Sequence, residues 1–318
     1  MLGLTKQYKI SEIFNKRYFE QNAQNRMAME MLKFMWFKEG KFLNPTKKNE
    51  ILKQYIEEEK KDFFENNKLN IPQLEFCITT KCTLKCKDCC ALIPKLDKIK
   101  HSEMSFEMFK HQLDKILDAV DSIRHFVILG GEPLVNSELP RMLEYAANQE
   151  KIFFTQLITN GTMLPNRNLL EIIGKYKNRI YVYMSNYAEN PELKSILKQE
   201  KIKELLKEHN IKLQKPENWA WLEEKGLSDI VFDGSVTKQK FFNCYRTKCN
   251  QVMNGKLDIC SKASAGREMQ LFEDDSVDIV NSKDLRQDLI DFYQKEYMNA
   301  CKYCILTDIQ VQPALQQN

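Results

Sequence analysis

From about residue 72 the sequence alternates between two hydrophobic rhythms. Short β-rich runs begin at Leu74 (LEFCITT), His125 (HFVILG), Ile152 (IFFTQLIT), Ile180 (IYVYMS) and Ile211 (IKLQ). The later runs start about 27–31 residues apart, the length of one strand and its crossover helix. Between them lie helical patterns. Behind Ser105, an N-cap residue type, Phe109, Leu113, Ile116, Leu117 and Val120 recur at helical spacing. Asn190-Pro191 reads as the start of another helix, carrying Leu193, Ile196 and Leu197. Strands alternating with helices require a parallel sheet with right-handed crossovers, open or curled into a barrel. In such sheets the chemistry sits at the C-terminal ends of the strands.

Residues 1–71 lack this alternation and read as a helical extension. Met27, Met31 and Met35 fall on one helical face beside Leu32 and Trp36, and KNEILKQYIEEEKKDFFENNK reads as a second helix with a solvated charged face. From about residue 236 the alternation fades. The expected division is therefore an extension at 1–71, a core domain at 72–235 and a smaller module at 236–318. Apolar residues make up 43% of the chain and charged residues 29%, enough for a real core in a soluble protein. No run approaches the ~20 apolar residues of a membrane span, and MLGLTKQYKISEIF is no secretory signal. A net charge of +4, from 48 basic and 44 acidic residues, argues against a nucleic-acid partner. The expectation is a cytoplasmic protein with neither membrane nor nucleic acid as partner.

Ten cysteines fall in three groups: Cys77, Cys82, Cys86, Cys89 and Cys90; Cys244, Cys249 and Cys260; Cys301 and Cys304. Close thiol spacing in a long chain without an export signal points to metal rather than disulfides. Cys82, Cys86 and Cys89 form a C-x3-C-x2-C loop directly after the first strand. Three thiolates can hold three irons of a four-iron, four-sulfur cubane and leave the fourth iron open. A structural zinc site closes with four protein ligands, and no histidine stands near this loop before His101.

Three further motifs follow in order: Gly130-Gly131-Glu132-Pro133 after the second strand, Thr159-Asn160-Gly161 at the end of the third, and Ser185 at the end of the fourth. Together with the cysteine loop they resemble the radical S-adenosylmethionine (SAM) enzymes over roughly residues 72–235. The resemblance implies a partial (β/α)6 barrel with a [4Fe-4S] cluster on Cys82, Cys86 and Cys89. It implies that the GGE segment engages the amino group of SAM, with Gly130 and Gly131 allowing close backbone approach to the ligand, and that Asn160 and Ser185 lie at the cofactor. It also implies reductive cleavage of SAM to a 5′-deoxyadenosyl radical and an electron donor such as flavodoxin or ferredoxin. The chain departs from the family at Asp88, where an aromatic residue usually packs on adenine.

The segment from Cys244 through Gly255 to Cys260, followed by Cys301 and Cys304, resembles the twitch and SPASM modules that carry an auxiliary cluster. That resemblance implies an auxiliary [4Fe-4S] cluster on Cys244, Cys260, Cys301 and Cys304, with Cys249 as the alternative first ligand and a four-cysteine zinc site as the rival. Cys77 and Cys90 read as packing residues, Trp219 and Trp221 as core or surface aromatics or as lining of a substrate cleft, and LKQEKIKELLKEH as a solvated helix face. The extension reads as helical rather than winged, so no leader-recognition domain is expected. The expected function is hydrogen abstraction from a sugar, aminocyclitol or peptide substrate, leading to net oxidation or bond formation. A redox-neutral epimerase with a cysteine hydrogen donor such as Cys249, and a non-catalytic iron–sulfur or zinc scaffold, are the alternatives.

Overall fold

The computed structural model describes residues 11–37, 45–96, 101–214 and 221–317. One eight-stranded sheet organises them: β1 (Asn70–Cys77), β2 (Ser122–Leu129), β3 (Ile152–Thr159), β4 (Ile180–Met184), β5 (Leu213–Gln214), β6 (Gln251–Met253), β7 (Lys256–Asp258) and β8 (Val277–Asp278). Their order is β5-β4-β3-β2-β1-β6-β7-β8. β1 pairs in parallel with β2 and β6, and the parallel pairing continues from β2 through β3 and β4 to β5. β7 and β8 add antiparallel strands at the β6 edge. This is the expected mixed α/β fold, with a mostly parallel sheet consistent with a partial barrel.

The five strands read from the sequence all form. The sixth parallel strand, β6, comes from beyond residue 236, so the sheet runs on across that position. The turn between β6 and β7 holds Asn254 and Gly255 at positive φ (51° and 80°), the dipeptide that type I′ hairpins select. Phe241, Val252, Leu257, Leu289 and Phe292 share one buried core with the residues of β1–β4.

Helices cover one face of the sheet. Ser105 caps helix Phe106–Ala119 as expected, its Oγ accepting from the Met108 N–H at 3.2 Å. That helix buries Phe109, Leu113, Ile116 and Leu117 against Leu74, Phe76, Phe126 and Ile128. The expected helix after Asn190-Pro191 is instead one 3-10 turn, Pro191–Leu193, with the α-helix beginning at Gln199. Leu193 is buried but Ile196 is exposed, and the Lys198 N–H turns in to the Gly161 carbonyl at 2.8 Å, so no continuous helical face develops. In helix Gln199–Glu208, Ile202 and Leu206 are buried while Lys201–Glu204 and Lys203–Glu200 pair in solvent.

The extension folds as helices Gln21–Phe37 and Pro45–Phe64. Met27 is buried, while the side chains of Met31, Leu32, Met35 and Trp36, and all of Trp219, lie outside the described set. Arg17 anchors this region: fully buried, it donates to the Phe292 carbonyl at 2.9 Å and lies over the Phe292 and Tyr293 rings. Among the described residues no helix is long and apolar enough to cross a membrane.

The opposite face of the sheet is polar. Side chains alternate along a strand, and residues in register share a face. Gln73 and Glu75 on β1 therefore stand in line with His125 on β2, Gln156 on β3, Tyr181 on β4 and Gln251 on β6. Gln73 donates to Glu75 at 2.7 Å, and His125 meets the Tyr181 hydroxyl at 2.9 Å. Gln251 is only 1% exposed, and both polar atoms of its amide lack a partner.

Burial pushes the Glu75 carboxyl up to about 7 and the His125 imidazole down to about 4. The folded chain holds the Glu75 proton more tightly than the unfolded chain does. Stability should therefore fall as pH rises from the ordinary carboxyl value of 4.5 toward 7. The loss from this group should total about 3 kcal/mol and be complete above neutrality. Urea unfolding at pH 5 and pH 7.5 checks this: Glu75→Gln should flatten the slope, and an unchanged slope would assign it to other groups.

Candidate active site

The cysteine loop is held by the strand beside it. Beyond β1 the chain turns at Thr79–Lys81, and two backbone bonds from the end of β2 fix it: Gly131 N–H to Thr79 O at 2.8 Å and Glu132 N–H to Lys81 O at 2.9 Å. A Cβ on Gly130 would stand 2.4 Å from the Thr79 carbonyl oxygen, and one on Gly131 would stand 2.3 Å from that of Lys81 and 2.8 Å from Cys82 Cβ. The close approach these glycines permit is thus first to the cysteine loop itself, where the sequence reading had placed a ligand.

Glu132 ties this corner to β3. It is fully buried, accepting from the Leu134 N–H (3.1 Å) and the Thr159 hydroxyl (3.0 Å) at Oε1 and from the Asn160 N–H (2.8 Å) at Oε2. Burial raises its pKa. Pro133 opens the short turn that follows. Asn160 bridges to the loop, its Nδ2 donating to Thr83 Oγ1 at 3.0 Å and to Cys82 Sγ at 3.7 Å. Gly161 carries φ +79°, with the Met184 side chain 3.2 Å from where its Cβ would stand. Ser185 follows β4, its N–H on the Thr159 carbonyl at 3.0 Å and its own carbonyl accepting from Gln199 at 2.9 Å.

Cys82, Cys86 and Cys89 pack in one cluster with Leu84, Tyr187 and Ala314. Two of the sulfurs receive side-chain amide donors: Asn160 on Cys82, and Gln316 Nε2 on Cys86 at 3.6 Å. Burial raises all three thiol pKa values, that of Cys86 to about 12. Thiolates are the species that ligate metal, so metal binding at these cysteines releases protons. A loop of three thiols with amide donors aimed at their sulfurs fits a cubane bound through three irons, because such bonds stabilise thiolate charge.

The second set also comes together. Cys244, Cys260, Cys301 and Cys304 line one cavity, brought there by the ends of helices Gly234–Asn243, Ser261–Glu268 and Asn299–Tyr303. Cys249 does not line it; burial raises its pKa beside the Glu75 carboxyl. Four half-buried thiols lining one cavity fit the donor set of a closed four-iron cluster, and burial raises Cys301 to about 12. Among the described residues no group of three or more His, Cys, Asp or Glu is arranged around a single metal ion.

Sequence reasoning missed the polar chain linking the two cysteine sets. The Asp88 carboxylate, buried next to Cys89, accepts from the Glu224 N–H at 2.9 Å. The Glu224 carboxylate pairs with both Arg246 and Lys262, and Lys262 Nζ, on a side chain 1% exposed, lies 3.9 Å from Cys304 Sγ. This accounts for the acid at a position where an aromatic was expected. Cys90 is exposed rather than packed, and its carbonyl accepts from Ser261 at 3.2 Å. Cys77 is buried as expected. Trp221 packs edge-on to Tyr187, with centroids 5.4 Å apart.

The glycine contacts give a direct test. Gly131→Ala forces the Lys81 carbonyl away and should displace Cys82, reducing iron bound after anaerobic reconstitution by up to about half. Ala at Gly174, where the nearest atom outside its own helix is 3.6 Å away, should leave iron unchanged. Equal loading of both variants would show that the glycine contact does not hold the loop.

Residues 76–219 match the radical SAM superfamily. A stretch of 117 residues is 31% identical to 7,8-dihydro-6-hydroxymethylpterin dimethyltransferase of Methanocaldococcus jannaschii, covering 36% of this chain and 22% of that protein. Another of 101 residues is 33% identical to GTP 3′,8-cyclase of Desulforamulus reducens, covering 31% of this chain and 30% of that protein. The chain thus spans less than a third of the length of either relative. Among solved structures, BtrN in complex with AdoMet and 2-DOIA has a TM-score of 0.44 at 12% identity, covering 76% of this chain and 96% of that one. The stretch of residues 76–219 that matches the radical SAM superfamily contains the cysteine loop, Gly130, Gly131, Glu132, Asn160 and Ser185.

Proposed function

We propose that this chain is a radical SAM enzyme acting on a small polar substrate, with net oxidation or bond formation as the outcome. The observation that carries the reading is the convergence of Cys82, Cys86 and Cys89 with Asn160 and Glu132 at the C-terminal ends of β1–β3. When bound, a reduced four-iron cluster with SAM supplies cleavage of the S–C5′ bond, and a closed second cluster supplies an acceptor for the substrate's electron. Cys82, Cys86 and Cys89 hold three irons. Glu132, whose Oε2 carries one internal bond, has acceptor capacity left for the amino group of SAM. Ser185 would lie at the ribose of bound SAM. Cys244, Cys260, Cys301 and Cys304 hold the second group, which makes residues 236–318 a twitch-like module.

The polar face of the sheet supports a sugar or aminocyclitol as the substrate class. The amides of Gln73, Gln156 and Gln251, the Tyr181 hydroxyl and the Glu75 carboxyl are groups that can donate to and accept from hydroxyls. Cys249 beside Glu75 supports a second reading, a redox-neutral reaction in which that thiol returns a hydrogen atom. Product mass separates them: oxidation removes two hydrogens, whereas epimerisation leaves the mass unchanged.

The test uses protein reconstituted with iron and sulfide under anaerobic conditions. It should bind about eight irons per chain, and about four when Cys82, Cys86 and Cys89 are all changed to Ala. With dithionite it should convert SAM to 5′-deoxyadenosine and methionine. Any single change among those three cysteines should abolish this, while Cys260→Ala should still cleave SAM. Well-loaded protein that yields no 5′-deoxyadenosine would overturn the enzyme in favour of an iron–sulfur scaffold.

A further inference from the structure

The segment at 310–317 lies across the cysteine loop as a short antiparallel strap. Lys87 N–H bonds to Leu315 O at 2.7 Å, Gln317 N–H to Lys85 O at 2.9 Å, and Cys86 and Gln316 form a β-bridge. Asn190 anchors the strap from the far side, its Nδ2 donating to Pro313 O (2.9 Å) and Ala314 O (3.1 Å). Ala314 is fully buried there at φ +50°.

Within the strap the Gln316 side chain has one possible orientation. Its Oε1 accepts from the Lys85 N–H at 2.7 Å, so the amide cannot flip without setting donor against donor. Its Nε2 has two hydrogens: one goes to the Ala314 carbonyl at 2.6 Å and the other to Cys86 Sγ at 3.6 Å. Every polar atom of this amide is therefore used, and one N–H is aimed at a sulfur 230 residues earlier in the sequence.

We propose that Gln316 is a positioning residue that sets the redox behaviour of the SAM-side cluster through its N–H to the Cys86 sulfur. This rests on the reading that Cys82, Cys86 and Cys89 hold that cluster. An N–H directed at a ligand sulfur stabilises the extra negative charge of the reduced state, and hydrogen bonds to the sulfurs are among the determinants of cluster potential. The bond to Lys85 holds the loop backbone, and the bond to Cys86 raises the midpoint potential, so the strap makes reduction easier while pinning the loop.

The experiment uses the full chain, reconstituted anaerobically and reduced with dithionite. Wild-type protein with isotopic nitrogen in its glutamine side chains should show, by pulsed electron paramagnetic resonance, a coupling of that nitrogen to the reduced cluster. Gln316→Leu should load iron as wild type does, lose the coupling, and titrate at a more negative midpoint with a smaller reduced fraction at fixed dithionite. Gln316→Glu keeps the acceptor for Lys85 but removes the donor, and should also lose the coupling and shift negative. A merely structural strap would change iron retention and leave the midpoint of the loaded cluster in place, which would overturn the proposal. Absence of the nitrogen coupling in loaded wild-type protein overturns it even if neither variant loads. Wild-type protein that binds no cluster at all would overturn the underlying site reading instead.

Discussion

Two backbone hydrogen bonds, Gly131 to Thr79 and Glu132 to Lys81, determine where the chemistry of this protein can occur. They exist because no Cβ intervenes at residues 130 and 131. With the end of β2 fixed to the start of the cysteine loop, Glu132 reaches β3, Asn160 reaches back to Cys82, and the ends of three parallel strands become one rigid corner. Strand ends in a parallel sheet are where backbone groups leave the ladder and become available to a ligand. Here that corner carries three thiols.

The protein devotes buried polar groups to the surroundings of both cysteine sets, at a cost only partners can offset. Arg246, Glu224 and Lys262 form a nearly dry ion triad that touches Asp88 at one end and Cys304 at the other. Buried cations beside clustered thiols favour the thiolate charge that metal binding requires. Lys240 adds to this by donating to the carbonyls of Cys301 and Cys304. The triad also links the two sites by hydrogen bonding, because the Glu224 N–H donates to Asp88.

What the sequence revealed was whatever is local. Hydrophobic period located β1–β5 and the Ser105 helix, and the cysteine loop, GGEP and TNG were legible because each site element is contiguous. Contacts between distant segments were not: Gln316 on Cys86 and Asp88 on Glu224 leave no local pattern. β6 has only three residues, too few for a period, and the Asn254-Gly255 dipeptide of its hairpin was the one local signal there, left unread. The helix expected at Asn190 failed because the Lys198 N–H turns in to the Gly161 carbonyl, and local propensity yields to such tertiary contacts. Cys244 and Cys249 differ by five positions, yet one lines the thiol cavity and the other faces Glu75, a distinction set by the turn at Tyr245–Lys248.

The central claim is that the loop of Cys82, Cys86 and Cys89 presents an iron with an open position to SAM. Electron–nuclear double resonance on the reduced, reconstituted protein, with SAM isotopically labelled at its amino nitrogen and carboxylate oxygens, tests this most directly. The account predicts hyperfine coupling to both labels, retained in Cys260→Ala and lost in Cys86→Ala. A fully loaded cluster that shows no coupling to either label would contradict it.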